Sequence, residues 1–297
     1  EVPFSYNWRI YLNSLFRIIR PHHFVKNLLI FLPILFIDEP IWPVLYHRLI
    51  PGFFAFCFLS SFVYIFNDIR DADLDRSHAA RSSRPIASGG ISKKAAFFFG
   101  CLLLAVAVTI NMLSAGGLWA PWVLMALYLV INIGYSSGLK NLPVIEIVIL
   151  AGGFLMRILY GVVLSGGTVS VWLLLSIVFL STYLGFGKRR NELLYHGTKS
   201  RKVLQYYKPK ELNLFMGISF ILSIAFYLLW CLYPGVAFLT PPIGLYCSIP
   251  IVIAILFRYH SLINKKAEGD PVDILLKDGV ILSASFLYSG LILWVFL

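Results

Sequence analysis

Charged residues are scarce in this chain of 297 residues, and acidic residues are the scarcest. Charged side chains make up 13% of the sequence, with 14 Asp and Glu against 25 Lys and Arg. The four cysteines lie in apolar stretches without Cys-x-x-Cys spacing, so neither a disulfide framework nor a cysteine metal site is predicted. Although the net charge is +11, no zinc-ligand spacing or nucleic-acid-binding motif accompanies it, which argues against a nucleic-acid partner.

Apolar residues fill most of the chain instead. Hydrophobic residues make up 59% of the sequence and the mean hydropathy is +0.81, which is more apolar surface than a soluble domain can bury. Because about 20 apolar residues cross a bilayer as a helix, we expect an all-α, polytopic membrane protein with nine transmembrane helices, forming a single membrane domain over residues 1–297. The nine apolar segments lie near 23–38, 47–67, 91–113, 118–135, 142–164, 169–187, 211–233, 238–257 and 277–297.

Basic residues indicate how these helices are oriented. Residues 5–20 have the pattern of an amphipathic helix with a basic polar face, suited to lie on the membrane surface before a helical bundle of residues 21–297. Nearly all Lys and Arg fall in this segment and in the loops after the second, fourth, sixth and eighth apolar segments, while the opposite loops carry only Arg48. The positive-inside rule therefore predicts a multi-pass plasma-membrane protein whose N-terminus and even-numbered loops are cytoplasmic.

Four carboxylates occur within eight residues directly after the second apolar segment. If the segment continues as a helix, Asp68, Asp71 and Asp75 share one face and Asp73 points elsewhere. Carboxylates placed so closely repel unless a cation binds them, and Mg²⁺ prefers one or two carboxylates together with phosphate oxygens. We therefore predict a catalytic Mg²⁺ site for a phosphorylated substrate at these three residues, supported by Asn67. The alternative is a solvated helix end with scattered acids.

Basic residues that could bind phosphate gather on the same side of the membrane. Arg81 and Arg84 follow the acidic run and can clamp phosphate oxygens, although ordinary positive-inside charge would explain them equally well. The loop expected over 187–210 contains eight basic residues and a single acid, Glu192, which could also pair with Lys188 on a helix surface. The candidates for contacts to donor phosphates are Asn67, Arg81, Arg84, Lys188, Arg189 and Glu192.

Glu146 and Arg157 are the two charges inside the fifth apolar segment. Eleven residues of helix separate them by about 16 Å, so they cannot pair with each other. Each needs a polar partner or a water-filled cavity inside the protein. For Arg157, a structural tie between helices and a substrate contact are both open.

The run Asn67-Asp68-x-x-Asp71-x-x-x-Asp75 resembles the first aspartate-rich motif of the UbiA-type prenyltransferase superfamily. The resemblance implies a nine-helix membrane bundle whose cytoplasmic cap loops cover a Mg²⁺-dependent site. Aromatic prenyltransferases of that superfamily carry a second aspartate-rich motif, but this chain has Gly187-Lys188-Arg189-Arg190-Asn191-Glu192-Leu193 there. This departure is similar to the decaprenyl-phosphate phosphoribosyltransferase branch. Further motifs of that branch are Arg20-Pro21-His22-His23-Phe24-Val25-Lys26-Asn27, Arg84-Pro85-Ile86-Ala87-Ser88-Gly89, Tyr135-Ser136-Ser137-Gly138-Leu139-Lys140 and Gly269-Asp270-Pro271.

The branch implies a specific reaction. Phosphoribosyl pyrophosphate would give its phosphoribosyl group to a polyprenyl phosphate and release pyrophosphate, in the synthesis of a cell-envelope polysaccharide precursor. The basic stretch after the sixth segment suits such a polyanionic donor. One alternative is prenyl transfer from a prenyl diphosphate to an aromatic acceptor, which should show a second acidic motif. Another is a transporter or a structural membrane protein, which would favour charges along a path through the membrane and related halves of the chain.

The lipid acceptor needs an opening towards the bilayer and a cation near the cytoplasmic boundary. Lys26 and Lys140 stand at that depth, at the starts of the first and fifth segments, and Asn27 and Tyr135 lie beside them in sequence. We therefore expect these four residues to bind the acceptor phosphate. The alternative is that the two lysines only reach to lipid headgroups.

Overall fold

The computed structural model describes residues 4–37, 40–76, 81–198, 201–234, 242–265, 274 and 276–296, and every regular element in these ranges is helical. Eight helices there are long and apolar enough to cross a membrane, which confirms the prediction of a polytopic helical protein. The elements are α1 (Phe4–Ile19), a 3₁₀ helix (Pro21–Phe36), α2 (Ile41–Val44), a π-helical turn (Leu45–Leu49), α3 (Ile50–Arg76), α4 (Lys93–Ala115), α5 (Ala120–Ser137), a 3₁₀ turn (Leu139–Asn141), α6 (Ile145–Ser165), α7 (Val171–His196), a second 3₁₀ turn (Lys202–Tyr206), α8 (Pro209–Leu232), α9 (Ile243–Lys265) and α10 (Gly279–Phe296).

The first predicted segment differs from the other eight. It forms the 3₁₀ helix Pro21–Phe36, which has 16 residues and contains Pro33. A 3₁₀ helix rises about 2.0 Å per residue, so this element is about 32 Å long, whereas an α-helix of the same chain length would reach about 24 Å. The hydrocarbon core of a bilayer is about 30 Å thick, so the tighter helix is long enough to cross it.

Two helices continue beyond their predicted ends. Helix α3 includes the whole acidic run, and α7 extends to His196, so the loop predicted to begin at Gly187 is wrong for residues 187–196. The polar residues of this extension have partners that keep them helical. The side-chain amide of Asn191 donates to the carbonyl of Ile263 at 3.0 Å. Charged residues therefore continue a spanning helix here, where the sequence pattern suggested that it would stop.

Contacts divide the chain into two compact units. The first comprises Glu1–Leu32, Glu39–Lys140 and Met156–Gly166. In this unit the 3₁₀ helix packs so closely on α6 that a Cβ atom at Gly161 would lie 2.1 Å from the carbonyl oxygen of Ile30. A second packing centre joins α1, α3, α4 and the loop before α4, and its buried residues are Ile18, Ile65, Ala72, Ile86, Ile91, Ala96 and Leu103.

The second unit comprises Pro33–Asp38, Asn141–Leu155 and Gly167–Leu297. Large apolar side chains remain exposed on its helices, for example Phe286 and Trp294 on α10. Exposed apolar surface of this kind is typical of a face that contacts lipid. The core brings together α7, α8, α9 and the turn Lys202–Tyr206, and its buried residues include Tyr183, Phe186, Val203, Leu204, Leu212, Met216, Tyr259 and Ile263.

Candidate active site

The acidic run lies at the end of α3 and divides between two faces of that helix. Asp68 and Asp75 are buried, with 3% and 2% of their surface exposed, and Asp71 is partly buried. Asp73 is exposed and lies 2.9 Å from Nζ of Lys93. The structure therefore agrees with the predicted division of the four carboxylates. We call Asp68, Asp71 and Asp75 the acidic face.

Two arginines hold the buried part of the acidic face. Nη1 of Arg84 lies 3.1 Å from Oδ1 of Asp68 and 2.7 Å from Oδ2 of Asp75, so one guanidinium bridges two carboxylates. Nη2 of Arg20 donates to both oxygens of Asp68 at 2.7 Å. Arg81 is more distant, at 4.0 Å from Asp75. Arg81 and Arg84, two of the three arginines predicted to bind phosphate, thus stand beside carboxylates of the acidic face.

Arg20 also belongs to this site, although its sequence context predicted no such role. It lies between α1 and the 3₁₀ helix, and its φ of +56° is uncommon for a residue other than glycine. The available signals were its position before Pro21, at the end of the amphipathic helix, and its place at the start of the motif that runs from Arg20 to Asn27. Neither signal could identify a partner 48 residues away.

Lys140 completes the set of cations around the acidic face. Its Nζ contacts Oδ1 of Asp71 and lies 3.4 Å from Oδ1 of Asn67, whose amide donates to Asp71 at 3.2 Å. Lys140 was expected to bind the acceptor phosphate, and the structure places it against the acidic face. Lys140 reaches the aspartates because α5, which precedes it, packs against α3. Lys26 and Tyr135 are partly buried, and their role with the acceptor stays a prediction.

The acidic face fits a magnesium ion that is held jointly with phosphate. The bridging position of Arg84 shows that Asp68 and Asp75 are close enough to share one cationic centre. Among the described residues, no three acidic, histidine or cysteine side chains are arranged to hold a metal ion. Mg²⁺ usually takes one or two carboxylates and completes its coordination with water and substrate oxygens. A shared carboxylate–phosphate site therefore fits better than a cage of three carboxylates, and participation of Asp71 stays a prediction.

Arg157 is buried in the first unit, where its side chain connects several helical elements. Its Nε donates to Oδ1 of Asn27 at 2.6 Å and its Nη2 donates to the hydroxyl of Tyr128 at 3.0 Å. The guanidinium also lies 5.3 Å from the ring centre of Phe56, a distance at which cations and aromatic rings attract. Only 1% of Asn27 is exposed, and its amide contacts Sγ of Cys57. These contacts favour the structural role of Arg157 and give Asn27 that role as well.

A second group of charges is buried in the second unit. Nε of Arg189 donates to Glu146 at 2.8 Å and its Nη1 donates to Glu192 at 2.5 Å. Nε of Arg201 lies 3.2 Å from the same Glu192 carboxylate. Glu146 is fully buried and only 1% of Arg189 is exposed, so this network provides the partner that a charge inside the fifth segment needs. Lys188, the neighbour of Arg189 in α7, is partly exposed.

Tyr207 lies beside this network of buried charges. The Tyr207 hydroxyl accepts a hydrogen bond from the backbone N–H of Val144 at 2.7 Å. Val144 has a φ of +66°, which is rare for a β-branched residue. Burial raises the pKa of Tyr207, and the nearby Glu146 carboxylate adds to the rise, so the hydroxyl stays protonated. The predicted motif at 269–271 lies outside the described residues.

Comparisons with known proteins agree with this organisation. The model of the UbiA prenyltransferase family matches residues 27–277. A protein of Corynebacterium glutamicum named decaprenyl-phosphate phosphoribosyltransferase is 32% identical over 236 residues, covering 77% of this chain and 70% of that protein. A protein of the same name from Mycolicibacterium smegmatis is 30% identical over 283 residues, covering 91% and 88%.

A solved structure has the same fold. The UbiA homologue from Archaeoglobus fulgidus bound to DMAPP and Mg²⁺ superposes with a TM-score of 0.71 at 18% sequence identity. The match covers 95% of this chain and 99% of that chain. At this identity the likeness shows a shared fold.

Proposed function

Since the chain belongs to the UbiA prenyltransferase family, we propose that it transfers the phosphoribosyl group of phosphoribosyl pyrophosphate to a polyprenyl phosphate of the decaprenyl type. The observation that carries the proposal is that relatives named for this activity match most of the chain. The site supports it, because Arg20, Arg84 and Lys140 surround the acidic face with cations. Such a site suits a donor that carries phosphate at both ends.

The proposed reaction is a substitution at C1 of the ribose. An oxygen of the polyprenyl phosphate forms the new bond to C1, and the bond from C1 to pyrophosphate breaks with its electron pair leaving on pyrophosphate. A phosphate monoester has a second pKa of about 6, so the attacking group is mostly ionised at neutral pH and needs no strong general base. The protein's task is to position two polyanions and to stabilise the charge of the departing group.

Different residues of the first unit would hold the metal, the acceptor phosphate and the donor phosphates. Asp68 and Asp75 would hold Mg²⁺ together with phosphate oxygens of the substrate, and Asp71 is a further proposed contact. When bound, the metal supplies Lewis-acid stabilisation of the leaving pyrophosphate. Lys26 and Tyr135 are the proposed contacts to the acceptor phosphate. Arg189 and Glu192 are better explained as the structural partners of Glu146 and Arg201. The proposed contacts to the donor phosphates are Asn67, Arg20, Arg81, Arg84 and Lys140.

The proposal places this chemistry at the cytoplasmic side of the plasma membrane. The basic loops that support this orientation include the one that carries Arg81 and Arg84. A water-soluble donor made in the cytoplasm could then meet a lipid whose tail stays in the bilayer. The product would serve a cell-envelope polysaccharide pathway.

A donor-choice assay tests the proposal. The purified protein is offered radiolabelled phosphoribosyl pyrophosphate with decaprenyl phosphate, and separately a labelled prenyl diphosphate with an aromatic acceptor, each with Mg²⁺ and with EDTA. We expect Mg²⁺-dependent label in the lipid phase in the first reaction alone. Product in the second reaction alone would replace the proposal with aromatic prenyl transfer. The Asp68→Asn variant controls for a contaminating enzyme.

A further inference from the structure

Cationic side chains of the chain itself pair with every carboxylate of the acidic face. Nη1 of Arg84 bridges Asp68 and Asp75 at 3.1 and 2.7 Å, and Arg20 contacts both oxygens of Asp68. Lys140 contacts Asp71. Arg81 stands farther away, at 4.0 Å from Asp75. Cations of the chain itself thus neutralise the three carboxylates.

This arrangement opposes the binding of a divalent cation on its own. A metal shared by Asp68 and Asp75 must take the position that Arg84 bridges, since both carboxylates are almost fully buried. The displaced guanidinium would then lack its anions, and breaking a partly buried ion pair without replacing the lost partner is costly. A diphosphate that binds with the metal removes this cost, because its oxygens accept hydrogen bonds from the displaced cations.

We propose that Arg20, Arg84 and Lys140 exchange between the acidic face and the substrate's phosphates, so that divalent cation and diphosphate each raise the other's affinity. Such coupling is reciprocal by thermodynamic necessity. Arg20 is well placed to move, because it stands in a strained backbone conformation at the joint between α1 and the 3₁₀ helix. The identity of the diphosphate rests on the proposed function, but the exchange itself requires only a diphosphate group.

Metal binding to the protein tests the exchange without any turnover. Mn²⁺ is titrated into protein in lipid nanodiscs without diphosphate, and free Mn²⁺ is followed by electron paramagnetic resonance. We expect weak binding to the wild type and about tenfold tighter binding to Arg84→Gln, a typical size for coupling between sites. Lys140→Gln should shift the affinity in the same direction. Lys93→Gln is the matched control, because its partner Asp73 is exposed and lies off the acidic face.

Binding of ³²P-labelled pyrophosphate to the same proteins gives the second readout. We expect the wild type to require Mg²⁺ for tight binding, and Arg84→Gln to bind pyrophosphate more weakly while it binds Mn²⁺ more tightly. If Arg84 served only in folding, Arg84→Gln would bind both Mn²⁺ and pyrophosphate more weakly than the wild type. The proposal is overturned if the wild type binds Mn²⁺ alone as tightly as Arg84→Gln, or if pyrophosphate binds equally well in EDTA. Neither assay uses phosphoribosyl pyrophosphate, so failure of the proposed function would appear separately in the donor-choice assay.

Discussion

At the scale of single residues, burial separates four aspartates that look alike in sequence. We expect Asp68→Asn and Asp75→Asn each to lower the rate of phosphoribosyl transfer by about 100-fold or more, the usual effect of losing a group that stabilises charge in the transition state. Asp73→Asn should stay close to wild type, because Asp73 is exposed and pairs with Lys93. Initial rates with labelled donor measure this. An equal loss at Asp73 would show that the helix face does not select the functional carboxylates.

Arg189 shows how a residue can match a binding motif and still have a structural task. Its guanidinium is buried against Glu146, so Arg189→Met should leave that carboxylate without its cation and cost about 3–5 kcal/mol of stability. Replacing both residues, as Arg189→Met with Glu146→Leu, should cost much less, since no charge is left behind. Unfolding in detergent measures the difference, with Lys188→Met as the control on the same helix. Wild-type stability of Arg189→Met with a raised donor KM would return Arg189 to the donor site.

At the scale of elements, close packing between the 3₁₀ helix and α6 depends on Gly161. The nearest atoms to an added Cβ are backbone atoms of Ile30, which cannot rotate away. We expect Gly161→Ala to destabilise the protein by about 1–3 kcal/mol, the usual cost of overpacking. Gly152→Ala on the same helix is the control, because nothing lies within 4 Å of its added Cβ. Equal melting temperatures for the two variants would mean that the 3₁₀ helix and α6 can move apart without loss of stability.

The ends of α3 and α7 show why element boundaries were harder to predict than the elements themselves. Apolar segments near 47–67 and 169–187 were evident, but the helices continue to Arg76 and His196. Charged residues normally mark the end of a spanning helix because lipid cannot solvate them. Here other parts of the protein supply their partners, such as Arg84 for Asp75 and Glu146 for Arg189.

At the scale of the whole molecule, the 3₁₀ helix Pro21–Phe36 determines whether the chain crosses the membrane an odd or an even number of times. If it crosses together with the eight long helices found in the described ranges, the two ends of the chain lie on opposite sides. We expect alkaline phosphatase fused after α10 to be active in a bacterial host. Green fluorescent protein fused at the same position should not fluoresce. The same reporters fused within the loop that carries Ser88 should give the reverse result. A fluorescent fusion after α10 would mean that the 3₁₀ helix does not cross.

The sequence by itself determined the class of the protein, because the free energy of placing apolar and charged residues in a bilayer depends on composition and order along the chain. It also determined that Asp68, Asp71 and Asp75 share a face and that Asp73 does not, since helical periodicity is a local property. The tertiary structure alone decided which cations hold those carboxylates. Arg20 meets Asp68 across 48 residues and Lys140 meets Asp71 across 69, and such pairings depend on how helices pack rather than on any spacing within them.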